Sequence, residues 1–145
     1  AQKYAAAQVL LLELTDSQPE LAGPWVNLSY TYLADGDQEN AELSLQKALQ
    51  ANPKNCDALN QLGVLARQKG EFTAAESFYQ RCIDADPNFA AAYLNLGILY
   101  ELYMGKLGEA LAAYNDYQVV LPAPDRQVAG WVMDLERRVG AIAQR

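Results

Sequence analysis

Between Ala58 and Pro87 the apolar and small residues fall into two helical registers separated by a turn. Leu59, Leu62, Gly63 and Ala66 recur at the i, i+3, i+4, i+7 spacing of one helix face. Gly70 opens a turn, Phe72, Ala75, Tyr79 and Cys82 then line one face of a second helix, and Pro87 stops it. Gly63 and Ala75 are small where two such helices would cross, so the backbones can approach. Leu59, Leu62, Phe72 and Tyr79 would fill the space around that crossing. The stretch predicts an antiparallel helical hairpin, and the same pattern recurs on both sides of it. Prolines stand at 19, 53, 87 and 122, separated by 34, 34 and 35 residues. Ahead of Pro53 come Trp25, Leu28-Ser29, Tyr32, Gly36, Ala41 and Leu45; ahead of Pro122 come Tyr93, Leu96-Gly97, Tyr100, Gly105, Ala110 and Tyr114.

This register of a large residue, Leu-Gly, an aromatic place, Ala, an aromatic place and Pro resembles the tetratricopeptide repeat (TPR) family, whose period is ~34 residues. The resemblance runs from the first residue to about Pro122. It implies an all-α helical-hairpin superhelix, or α-solenoid, of about three full repeats with a leading half repeat and a C-terminal capping helix. In the leading half repeat, residues 1–19, Tyr4, Ala7, Leu11 and Leu14 match the spacing of Phe72, Ala75, Tyr79 and Cys82. A lone second helix leaves an apolar flank uncovered, to be met by upstream repeats, a short lead or self-association. The non-Met start at Ala1 points to the first of these. Full repeats span 20–53, 54–87 and 88–122. The extra residue of the third falls between Tyr100 and Gly105, to be absorbed by a longer helix or a wider turn. Pro24 suits the opening turn of its helix. In 123–145, Asp125 caps a helix whose Val128, Trp131, Leu135, Val139 and Ile142 make one apolar face, with Arg126, Asp134, Glu136, Arg137, Arg138 and Arg145 opposite.

Composition changes this picture mainly by exclusion. Hydrophobic residues make up 51% of the 145, enough for a well-buried helical array. A formal net charge of −7 with no basic cluster argues against nucleic acid or an anionic membrane as partner. No apolar run reaches a membrane span, so no membrane insertion is expected. There is no histidine, no CxxC, no GxSxG, HExxH or GxGxxG, and Gly105-Lys106 lacks the earlier glycine of a phosphate-binding loop. The reading is a non-enzyme with no cofactor and no metal. Asn27-Leu28-Ser29 is formally a glycosylation sequon, but it lies mid-helix. The two cysteines, Cys56 and Cys82, fall at the adjoining ends of one antiparallel hairpin. Either they are bridged, which places the chain in an oxidising compartment such as the periplasm, or Cys82 simply fills a small-residue place and the cytoplasm stays open.

In TPR proteins the first helices line a concave surface. The resemblance assigns to it Asn27 and Tyr30 (with Val26 and Leu33), then Asp57, Asn60, Gln61, Val64, Arg67 and Gln68, then Leu94, Asn95, Ile98 and Glu101. Asn27, Gln61 and Asn95 are equivalent, and a row of amides can hold the backbone of an extended peptide by donating and accepting together. Tyr30, Val64, Leu94 and Ile98 add apolar area. One TPR subgroup clamps terminal carboxylates with lysines, arginine and asparagines; here the places that would need basic residues hold Val26, Asp57, Gln61, Ala91 and Asn95, leaving Arg67 as the one cation in the groove. The expected function is a protein–protein interaction scaffold that binds a peptide or helix in this groove. The alternative is an assembly subunit, in a bacterial envelope complex, that dimerises or docks through its N-terminal flank or last helix.

Overall fold

The computed structural model describes residues 4–144. Within them run eight helices and no strand: α1 (Ala5–Ser17), α2 (Ala22–Ala34), α3 (Gln38–Ala51), α4 (Cys56–Gln68), α5 (Phe72–Ala85), α6 (Ala90–Leu102), α7 (Leu107–Val120) and α8 (Arg126–Ala143). The closest packing is within the hairpins α2–α3, α4–α5 and α6–α7, and each hairpin then packs on the next, which makes a solenoid. No helix among the described residues is long and apolar enough to cross a membrane.

The turn within each hairpin depends on one glycine. Gly36, Gly70 and Gly105 have φ of 77°, 80° and 65°, the left-handed conformation that ends a helix. An added Cβ would touch nothing at these positions, so the backbone conformation rather than space requires glycine. Caps fix the following starts. Asp37 accepts from the Asn40 amide at 3.1 Å and Asn55 from the Ala58 amide at 2.9 Å. The extra residue of the third hairpin is taken up by the turn, since α6 has the same 13 residues as α2 and α4.

Each hairpin closes by setting a second-helix side chain against a small first-helix residue. A methyl group on Gly63 would overlap the ring of Tyr79, and one on Gly97 the ring of Tyr114. In the first hairpin the equivalent pair is Ser29 and Leu45, where a slightly larger small residue faces a smaller large one, both fully buried. Trp25 Nε1 donates to the Pro19 carbonyl at 3.1 Å, and the Tyr93 hydroxyl donates to the Pro87 carbonyl at 2.8 Å. These equivalent bonds tie a first helix to the proline that ended the preceding unit. Leu59, at the same place in the middle repeat, has no polar atom to do so.

The middle repeat is held differently, by a disulfide. Cys56 and Cys82, 26 residues apart with Cα atoms at 4.7 Å, join the start of α4 to the end of α5. Both are buried with Leu59 and Ala92, so the bridge also forms part of the core.

The ends of the array differ. Helix α1 packs on α2, and Gln8 Nε2 donates to Asp35 Oδ2 at 2.9 Å. Ala7, Leu11 and Leu14 are only half-buried, Tyr4 is exposed, and Val9, Leu10 and Leu12 point outward, Leu10 with 66% of its surface exposed. Helix α8 covers α7. Val128 and Leu135 are buried, Trp131 and Val139 half-buried, and Ile142 exposed. Asp125 accepts from the Gln127 and Val128 amides, and Tyr117 donates to its other oxygen at 2.9 Å.

Closing a loop of this size removes enough unfolded-chain entropy to contribute ~3 kcal/mol. Reduction, or Cys56→Ser, is expected to lower Tm by about 10 °C in a thermal melt, with helicity at 25 °C retained. No change in Tm on reduction would show that the bridge contributes nothing to stability.

Candidate partner-binding groove

The first helices of successive repeats lie side by side on one face, with the second helices behind them. Side chains of neighbouring first helices meet in order. Gln61 and Asp57 on α4 lie close to the Tyr30 hydroxyl on α2. Asn95 Nδ2 on α6 donates to Asn60 Oδ1 on α4 at 2.9 Å. Arg138 on α8 pairs with Glu101 on α6 at 2.7 Å. The face therefore has four helices rather than three, because α8 takes the place of a further first helix.

Asn27, Tyr30 and Gln68 are exposed on this face, and Gln61, Val64, Arg67, Leu94, Asn95, Ile98 and Glu101 are half-buried in it. Val64 packs on the middle core and Leu94 and Ile98 on the third. Two residues assigned to it from sequence are not available. Asn60 and Val26 are buried, Asn60 beneath its bond to Asn95 and Val26 in a core cluster with Leu45, Ala48, Ala58, Leu62 and Leu65. The row of free amides is thus interrupted, since Asn95 spends a donor on Asn60. Arg67 is also not the face's one cation, because α8 brings Arg138. The sequence reading missed Trp131, Asp134 and Arg138 here. Trp131 lies 36 residues after Asn95, but α8 has Val132-Met133 where Leu-Gly would mark a repeat. The spacing carried the signal and the motif concealed it.

Two equivalent tyrosines under the face have opposite polar fates. The Tyr114 hydroxyl donates to Glu101 Oε1 at 3.0 Å, and Glu101 in turn holds Arg138. Burial, and then that carboxylate, push the Tyr114 hydroxyl well above the ordinary tyrosine range. Tyr79 is fully buried, and its hydroxyl has no hydrogen-bond partner. At the place equivalent to Glu101 stands Arg67, whose guanidinium lies 5.7 Å over the Tyr103 ring. Burial pushes Tyr79 up to about 12, with Arg67 opposing. Tyr103 in turn packs on Phe72 at 5.2 Å, so the widened third turn folds back over the middle repeat.

Two tetratricopeptide repeat profiles match residues 26–88 and 78–112, together running from within α2 to within α7. The chain belongs to the tetratricopeptide repeat family. It is 26% identical over 130 residues to superkiller complex protein 3 of Mus musculus, covering 79% of this chain and 8% of that protein. It is 30% identical over 91 residues to the type IV pilus assembly protein PilF of Pseudomonas aeruginosa, covering 62% of this chain and 36% of that one. The chain thus spans less than a tenth of the first relative and about a third of the second. Among solved structures, Pseudomonas aeruginosa PilF superposes with a TM-score of 0.81 at 20% identity, over 94% of this chain and 61% of that one. MamA superposes with a TM-score of 0.69 at 27% identity, over 80% and 67%. The first TPR domain of RPAP3, solved with the HSP90 peptide SRMEEVD, gives 0.74 at 17% identity, over 84% and 95%. The likenesses to PilF and RPAP3 establish the fold, a TPR solenoid, which is a protein–protein interaction module.

The contrast between the tyrosines has a measurable consequence. Tyr79→Phe deletes a hydroxyl that bonds nothing, so unfolding in urea should show equal or higher stability. Tyr114→Phe deletes the bond to Glu101 and should lower stability by ~1 kcal/mol. Equal losses in the two variants would show that the Tyr79 hydroxyl has a partner.

Proposed function

We propose that this TPR array is a non-catalytic scaffold that binds a peptide or helix of another protein along the face formed by α2, α4, α6 and α8. The observation that carries this reading is the mixture of groups presented there. Tyr30, Val64, Leu94 and Ile98 keep part of their apolar surface open, beside Asn27, Gln61 and Gln68, whose amides can both donate and accept. Apolar anchors set among adaptable polar groups suit a chain segment better than a small molecule. The clamp for a terminal carboxylate is lacking, since Val26 is buried and Asp57 brings the wrong charge.

A second reading rests on α1, whose exposed Val9, Leu10 and Leu12 form an apolar strip. In it, this strip seats a second copy or another protein of a larger assembly, and PilF, by its name a pilus assembly protein, is the relative that supports it. The buried disulfide favours an oxidising setting, and the bacterial periplasm is the one proposed.

Peptides selected from a random displayed library should bind the wild-type chain. Tyr30→Ala combined with Gln61→Ala should weaken them about tenfold or more, whereas Leu43→Ala on the outward side of α3 should leave them unchanged. Selected peptides indifferent to the groove change would contradict the groove reading. Light scattering that shows a dimer, converted to monomer by Leu10→Asp, would favour the second.

A further inference from the structure

The fourth helix of the face creates a feature that the three repeats alone would not have. Between α6, α7 and α8, Ile98, Leu102, Tyr114 and Trp131 line an open cleft of about 430 Å³ together with Glu101 and Asp134. That volume lies within the ordinary range for a specific pocket and admits an aromatic side chain. Leu102 is 67% exposed, an unusual state for a leucine beside a half-buried tryptophan, and Trp131 packs on Tyr114 at 5.7 Å. The cleft thus has a firm aromatic floor and one loose aliphatic wall.

Charge decides what fits. Glu101, with only 14% of its side chain exposed, already accepts from the Tyr114 hydroxyl at 3.0 Å and from Arg138 at 2.7 Å. Asp134 faces Arg137 at 3.4 Å and Arg138 at 3.5 Å. An incoming ammonium or guanidinium would compete with Arg138 for the same oxygens, and an incoming carboxylate would meet two others. The cleft therefore accepts an uncharged side chain. Outside it the chain's net charge of −7 repels an acidic segment and attracts a basic one.

We infer that the cleft between α6 and α8 is a specificity pocket for one large uncharged apolar side chain (Leu, Met, Phe or Trp), carried by a partner peptide whose flanking residues are neutral or basic. The inference rests on the groove reading above and narrows it to a subsite and a class of ligand. It also makes α8 part of the recognition surface in addition to its role as a cover for α7.

The test uses the selected peptides. Those that bind should share one such residue at a fixed place and carry no net negative charge. Leu102→Asp should weaken them about tenfold or more, as should Ala at the shared residue of the peptide. The two changes together should cost little more than either alone, since they break the same contact. Met133→Asp, on an exposed part of α8 outside the cleft, should change nothing, and its melting curve alongside that of Leu102→Asp checks folding. Binding that falls with Tyr30→Ala plus Gln61→Ala but not with Leu102→Asp would overturn the pocket and leave the groove standing. Binding indifferent to both would overturn the two together. A selected set rich in acidic residues would overturn the ligand class.

Discussion

Everything in this molecule depends on how closely two helices can cross. In the second and third hairpins a tyrosine ring lies where a methyl group on the facing glycine would have to be, so the pair fits only without a Cβ. In the first hairpin Ser29 and Leu45 meet the same constraint with a different division of volume. The sum of the two side chains is what the crossing tolerates, as expected of a core packed as densely as a crystal. Hairpins of one shape then stack in one direction, which brings α2, α4, α6 and α8 side by side.

That regularity is what makes a binding face from short local elements. Polar side chains bridge α4 to α6 and α6 to α8: Asn95 to Asn60, and Arg138 to Glu101. Each bridge also removes groups from the pool a partner could use, so the face has alternating used and open places. At the middle repeat, where Leu59 cannot make the bond that Trp25 and Tyr93 make to the preceding proline, the disulfide instead joins the start of α4 to the end of α5. Helix α8 supplies Trp131 and Arg138, and with Trp131 part of the lining of the open cleft beside α6.

Much of the hairpin architecture was legible because it is written in residue types with single physical jobs. Glycines at left-handed turns, small residues at crossings and an acid at the start of α8 each announce their place. The groove was legible only in outline. Sequence spacing puts Asn60 and Val26 on the inward side of their helices, but how tightly neighbouring first helices press together depends on tertiary packing, which buries both. The part played by α8 was hidden for a related reason. Val132 and Met133 stand where Leu-Gly would mark a repeat, while the residues facing α6 remain. Sequence spacing set the two cysteines at adjoining ends of one hairpin without pairing them, and the structure pairs them with Cα atoms at 4.7 Å.

The most direct test of this account is a double-mutant cycle on unfolding free energy, using Gly63→Ala and Tyr79→Leu. In an open helix Gly→Ala would stabilise by up to ~1 kcal/mol. Here the clash should reverse that sign and cost ~1–3 kcal/mol. In the Tyr79→Leu background, which copies the Ser29–Leu45 pair, the cost should vanish or become a gain. A Gly63→Ala effect of equal size in both backgrounds, or a stabilising one with Tyr79 in place, would contradict the claim that this crossing sets the shape of the array.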